Sequence, residues 1–315
     1  MFWTGELIAR SAPIRHRVTR ERPPLVERAV AAYLGLAIGD ALGATVEFMT
    51  PHEIRHQLGV HREMTGGGWL RLKAGQVTDD TTMSLALGDA IIARGQVEAR
   101  AAAEAFDAWM RAKPVDIGNT VRRNLISFRQ HGNPEAAASE HDAGNGAAMR
   151  VLPVALACYG RPPETTIFAC RAQAHVTHNN PLSDAACECL AFMVQDLLGE
   201  TDPREIERRH ASGLVSQHPA FTYDKKRCEN PSGYIVDTMQ AVFQAFFSTE
   251  TFEDCLTDVV NRGGDADTTG AIAGMLAGAR YGLEAIPRRW LRGLNELTRV
   301  ICERQAEMLM TLGAA

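Results

Sequence analysis

Residues 261–282 read NRGGDADTTGAIAGMLAGARYG. A Gly-Gly pair leads into Asp265 and Asp267, then into two threonines and a run of alanine, glycine and short aliphatic residues. Glycine inside a helix costs roughly 1 kcal/mol relative to alanine unless close packing offsets it. The run therefore reads as a helix lying very close to another element. Its acidic start has two readings. Asp and Thr are favoured helix caps, and an anion suits the positive end of the helix dipole; two carboxylates with two hydroxyls are also half of a site for a hard cation.

Working outward, apolar and small residues recur at helical spacing in LVERAVAAYLGLAIGDALGA, TTMSLALGDAIIARG, ARAAAEAFDAWMRA and DAACECLAFMVQDLLGE. Period-2 alternation rich in valine and threonine is almost absent. Breaks at Gly66 to Gly68, Pro114, Gly132 to Pro134, Pro162 and Pro163, Pro181, Pro203, Pro219, Pro231 and Pro287 leave segments of ordinary helix length. The expected fold class is all-α, a compact multi-helix domain over residues 25–315. A basic leader over residues 1–24 carries five arginines and ends in Pro23-Pro24, the pattern of a mobile tail. Met83, Met149, Met239 and Met275 fall on apolar helical faces and are assigned to the core.

The opening stretch has an internal echo. GQVTDDTTMSLALGDAI, residues 75–91, repeats its order of glycine, paired acids with threonines, then a small apolar helix. If the two halves face each other, four carboxylates (Asp79, Asp80, Asp265 and Asp267) share one cleft. Like charges so placed raise each other's pKa unless cations neutralise them. An all-oxygen set suits Mg2+ or Mn2+ and does not suit a structural zinc.

Composition excludes several classes. The formal charge is -5, which gives no electrostatic footprint for nucleic acid. No apolar run reaches the roughly 20 residues of a membrane span, and no signal peptide opens the chain. Seven cysteines without a C-x-x-C pair read as reduced thiols in a cytoplasm.

In order, GLAIGDALGATVEF, GQVTDDTTMSLALGDAI, DIGNT, GNGAAMRVLPVAL, THNNPLSDAACE, RCENPSGYIVDTMQAVFQAF and NRGGDADTTGAIAGMLAGA resemble the ADP-ribosylglycohydrolases across roughly residues 29–282. The resemblance implies an all-α fold with a binuclear metal centre built from Thr78, Asp79, Asp80, Asp265, Asp267 and Thr268. It implies two Mn2+, with two Mg2+ as the alternative, and hydrolysis of the N-glycosidic bond between ADP-ribose and an arginine side chain. Asp116 in DIGNT matches a family active-site carboxylate, and Glu47 in GATVEF a metal-facing or water-positioning glutamate. Asn119, Thr120, Glu140, Gly144, Asn145, Gly146, His178 and Tyr234 match substrate contacts: the G-N-G segment brings backbone N–H groups to phosphate, His178 reaches the ribose or diphosphate, and Tyr234 stacks on adenine.

The motifs are nearest the nitrogen-fixation branch of the family. The substrate implied is therefore an ADP-ribosylated protein, dinitrogenase reductase. Control in that branch is by PII signalling proteins that draw the enzyme to the membrane, which makes a PII protein a candidate partner and reversible peripheral membrane association through it a candidate localisation. No residue of this chain locates that contact. The expected oligomeric state is a monomer.

Overall fold

Gly270, Gly274 and Gly278 are explained by the helix that packs on them. The protein is described by a computed structural model over residues 22–313. The remainder of the basic leader lies outside the described residues; at its inner end Arg22 forms ion pairs with Glu307 at 2.6 Å and Glu303 at 3.0 Å.

The Pro24–Gly43 and Ala266–Tyr281 helices run antiparallel through the centre, and nearly all of their residues are buried. Their backbones meet at four steps spaced four residues apart: Ala31 with Gly278, Gly35 with Gly274, Gly39 with Gly270, and Gly43 with Ala266. A Cβ at Gly39 would stand 1.9 Å from the Gly270 carbonyl oxygen, and one at Gly274 would stand 2.0 Å from that of Gly35. Only glycine permits this approach, which holds Asp40 on the first helix beside Asp267 on the second.

Gly39→Val is therefore expected to destabilise the fold by at least the 1–3 kcal/mol typical of overpacking, about that or more because the obstacle is backbone. Gly213 has open space around the position of a Cβ within the Ser212–Gln217 helix. Gly213→Ala is expected to be neutral or stabilising by up to about 1 kcal/mol. Thermal unfolding of the two variants checks the contrast.

Around this pair pack the Asp79–Arg94, Pro181–Leu198, Ile235–Ser248, Phe252–Val260 and Glu296–Gly313 helices, with Ala99–Arg111 outside them against Asp79–Arg94. Several helices open on proline, as at Pro24, Pro51, Pro163 and Pro181, where the missing N–H has no intrahelical partner to lose. Among the described residues the only β pairings are isolated bridges at Gly67 with Leu72 and Gly144 with Tyr234. The expected all-α class holds, and the four assigned methionines are buried in one continuous core. All seven cysteines are free thiols, and six are buried.

Candidate metal centre and active site

The two acidic helix starts meet. Carboxylate oxygens of Glu47, Asp265 and Asp267 lie within 4.8 Å of one another. Thr268 Oγ1 donates to Asp80 Oδ2 at 3.4 Å, joining the second half to the first. The Gly-Gly turn makes the junction: Gly263 and Gly264 both have positive φ, at 69° and 64°. Their backbone threads between two loops, with Phe48 N donating to Gly264 O at 2.7 Å, Gly264 N to Met49 O at 2.9 Å, and Asp265 N to Pro231 O at 2.8 Å. A Cβ at either glycine would fall 2.1 Å from a carbonyl oxygen.

The cap reading of these acids needs correction. Neither Thr78 nor Asp265 caps its helix through its side chain. For the Asp79–Arg94 helix the cap comes from Asp40, whose carboxylate accepts Thr78 N at 2.9 Å and Thr81 N at 3.1 Å. Thr81 Oγ1 also donates to Asp40 Oδ2 at 2.5 Å, and Thr78 Oγ1 lies 2.9 Å from Asp40 Oδ1 and 3.1 Å from Asp80 Oδ2. With the backbone satisfied from outside, Asp79 and Asp80 are left free to face the cleft.

Asp40 was not among the residues expected at the site. Its signal was present in GLAIGDALGA: an acid in the middle of an otherwise apolar helix must be paired when buried.

Electrostatics follow from this crowding. Asp79, Asp80 and Asp267 are buried, and their carboxyls are held well above the ordinary carboxylate range, first by burial and then by neighbouring carboxylates. Glu47 is raised by burial foremost and by Asp265, Asp116 and Asp79, while the Trp69 indole N–H, 2.6 Å from its Oε2, pulls the other way. Asp265 is raised by burial and Asp116, against the amide of Asn145, which donates to Asp265 Oδ2 at 2.6 Å. Asp80 Oδ1 is buried with no hydrogen-bond partner. A buried anionic oxygen left without a donor, among oxygen-only neighbours, fits a hard divalent cation.

These shifts fix the sign of a pH effect. Folded-state values above the unfolded ones mean that these carboxyls favour the metal-free fold most below the ordinary carboxylate range, and that this contribution is lost as pH rises through the raised values. A divalent cation binds the ionised form. The melting temperature of chelator-treated protein is expected to fall from about pH 5 to about pH 8, and the gain on adding Mn2+ or Mg2+ to be larger at the upper pH.

Around the cluster the expected substrate residues divide. Asp116 is half-buried, and one of its oxygens accepts Ile117 N at 2.7 Å; it is near enough to help raise Glu47, Asp79 and Asp265. Asn119 and Thr120 open the Asn119–His131 helix just beyond it. Asn145 belongs to the centre, its Nδ2 reaching both Asp265 and Thr238 Oγ1.

Gly144 and Gly146 are small for a reason the sequence did not suggest. The His178 ring fills the space of their missing side chains, 2.7 Å from a Cβ at Gly146 and 3.0 Å from one at Gly144. Asn145 N is spent on Gly233 O at 3.0 Å, and the following helix starts only at Leu152. The segment is thus a packed turn that precedes the next helix by several residues rather than forming its first turn.

His178 itself is buried, paired through Nδ1 with Thr177 Oγ1 at 2.8 Å, and pushed down to about 3 by burial and then by Arg150 and Arg123. It acts as a neutral imidazole. Tyr234 is 41% exposed beside Gly144, available to a ligand rather than packed in the core. Glu140 is exposed and bonds to none of these residues.

A groove of about 410 Å3 lies elsewhere, lined by Tyr223, Arg227, Phe243, Phe247 and Arg262 among others. Both guanidiniums are already bound to Asp258 at 2.6 Å, and the lining includes none of the clustered carboxylates.

With this geometry in place, the comparisons are decisive. The model of the ADP-ribosylglycohydrolase family matches residues 21–314. The chain belongs to the ADP-ribosylglycohydrolase family. This ADP-ribosylglycohydrolase is 52% identical over 290 residues to the ADP-ribosyl-[dinitrogen reductase] glycohydrolase of Rhodospirillum rubrum, covering 92% of this chain and 98% of that one. It is 35% identical to the ADP-ribosylarginine hydrolase Tri1 of Serratia proteamaculans, over 87% of this chain and 77% of the relative. A solved ADP-ribosylglycohydrolase-related protein complex has the same fold, with a TM-score of 0.80 and 36% identity over 92% of this chain and 99% of the other. No described helix of this glycohydrolase is long and apolar enough to cross a membrane.

Proposed function

We propose that this glycohydrolase removes ADP-ribose from an arginine side chain of dinitrogenase reductase, in a cytoplasmic, metal-dependent reaction that reactivates nitrogenase. The observation that carries the chemistry is the clustering of the Glu47, Asp265 and Asp267 carboxylates with the second half reaching Asp80 through Thr268, while Asp80 Oδ1 is buried without a partner. The substrate reading is supported by the relatives, one named for dinitrogen reductase and one for ADP-ribosylarginine.

In this reading Thr78, Asp79, Asp80, Asp265, Asp267 and Thr268 hold two Mn2+, or two Mg2+. When bound, such ions supply Lewis acidity for orienting ribose hydroxyls and acidifying water. The chain's own residues do the rest. Asp40 fixes the Thr78–Thr81 turn, and Asn145 fixes Asp265. Glu47, anchored by Trp69, positions water on the anomeric carbon.

Hydrolysis forms a bond from water oxygen to that carbon and breaks its bond to the guanidine nitrogen. The proton that water gives up ends on the departing guanidine, so that arginine leaves protonated. In this reading Asp116 relays it through the oxygen not engaged by Ile117. Asn119, Thr120, Gly144, Gly146, His178 and Tyr234 border the ADP-ribose; Glu140 meets it only through a side chain that is free in this structure.

The test is incubation with arginine-ADP-ribosylated dinitrogenase reductase beside a serine-O-linked ADP-ribosyl peptide, each with Mn2+ or Mg2+. ADP-ribose release from the first and not the second is expected. Release from the serine linkage alone, or from neither, overturns the assignment.

A further inference from the structure

At the edge of the carboxylate cluster stand two aromatic side chains to which the chemistry above gives no ligand. Phe48 is 64% exposed and Trp69 is 52% exposed, their ring centroids 5.4 Å apart at 49°. Exposed aromatics are common; these are held in place. Phe48 has φ 62°, a left-handed conformation that a residue with a Cβ adopts at a penalty of roughly 1–2 kcal/mol. Its amide is tied to Gly264 O, one residue from Asp265.

Trp69 sits on a tight loop closed by Gly67 N to Leu72 O at 2.8 Å and Leu72 N to Gly67 O at 2.9 Å. That loop rests on the end of the first helix, where a Cβ at Gly68 would be 2.3 Å from Ala44 O. Its indole N–H is committed to Glu47 Oε2 at 2.6 Å, while half of the side chain stays exposed. Backbone strain of this kind persists only where the surrounding structure enforces it.

We infer that Phe48 and Trp69 form the leaving-group subsite, stacking the planar guanidinium and stem of the modified arginine beside Glu47. The inference rests on the arginine reading of the substrate. Charge complementarity selects the occupant: the negative faces of two aromatic rings beside Glu47 favour a flat, weakly hydrated cation. The ADP-ribose half of the substrate is anionic, so it suits this patch poorly. The same pair gives selectivity, because a serine hydroxyl leaving group has neither the charge nor the plane to stack.

Two ligands separate this role from a structural one: ADP-ribosylarginine, which carries the guanidinium, and ADP-ribose, which does not. Phe48→Gly removes the ring while suiting the left-handed backbone, so this variant is expected to melt no lower than wild type. Phe48→Gly and Trp69→Ala are each expected to raise KM for ADP-ribosylarginine about tenfold while ADP-ribose affinity changes less than about twofold. Trp69→Phe keeps a ring face and removes the donor to Glu47, so its KM is expected near wild type with a lower kcat.

An unchanged KM in Phe48→Gly and Trp69→Ala, or a loss of ADP-ribose affinity in step with KM, overturns the subsite. Wild-type protein that binds ADP-ribose yet leaves ADP-ribosylarginine intact overturns instead the arginine reading on which it rests.

Discussion

Asp265→Ala and Asp79→Ala are each expected to abolish measurable ADP-ribosyl hydrolysis. The loss should be at least about a hundredfold to a thousandfold, the range produced by removing one preorganised electrostatic group, and more where the cation itself departs. The reason lies in the way the two halves of the site depend on each other. Asp265 is oriented by Asn145 and sits within 4.8 Å of Glu47 and Asp267. Asp79 opens the opposing helix and feels the charges of Asp116, Asp40 and Asp265.

Either loss should remove bound metal as well as rate, measured as metal content after dialysis against a low concentration of Mn2+. Stability should move the other way. Because repulsion and burial raise these carboxyls, a neutral side chain relieves the metal-free fold at neutral pH. Asp265→Asn, which keeps an oxygen for the Asn145 amide, is expected to melt at or above the temperature of chelator-treated wild type. Lower melting together with retained metal would show that Asp265 serves the fold alone.

Asp116→Ala should separate rate from metal. Asp116 lies outside the proposed ligand set yet acts on Glu47, Asp79 and Asp265, and only one of its oxygens is taken by Ile117. Loss of a proton relay lowers kcat by about a hundredfold to ten-thousandfold. Metal content should stay at the wild-type level. A variant that is nearly fully active would refute the relay, and one that loses metal would place Asp116 among the ligands.

The fold was legible in the sequence because its decisive signals are local. The 3.6-residue spacing in LVERAVAAYLGLAIGDALGA and DAACECLAFMVQDLLGE, and the punctuation by proline and glycine, place helices without tertiary information. The excess glycine in GAIAGMLAGA announced a close approach, although its partner, the stretch from Gly35 to Gly43, was visible only in three dimensions.

The acidic clusters at Asp79 and Asp265 were readable as half-sites for a hard cation, whereas their meeting came from the family resemblance before the Thr268–Asp80 contact showed it. Residues acting across the chain were harder. Asp40 caps a helix that starts 39 positions later, with Asp79, and looks from sequence like an isolated acid in an apolar helix. Trp69 lies in GGGWL, where nothing local announces a partner at Glu47. In the G-N-G segment the small residues also make room for the His178 ring, a contact across more than thirty residues of chain that no local signal announces.

The most direct test of the central claim, that opposed carboxylates from the two halves form a metal-dependent ADP-ribosylarginine hydrolase, is a chelation and restoration time course. Arginine-ADP-ribosylated dinitrogenase reductase is incubated with the protein, EDTA is added, and Mn2+ or Mg2+ is then supplied in excess while released ADP-ribose is measured. Release should stop with EDTA and resume with the cation in wild type, and stay absent throughout in Asp265→Ala. ADP-ribose released at the same rate in EDTA, or restored by cation in Asp265→Ala, would contradict it.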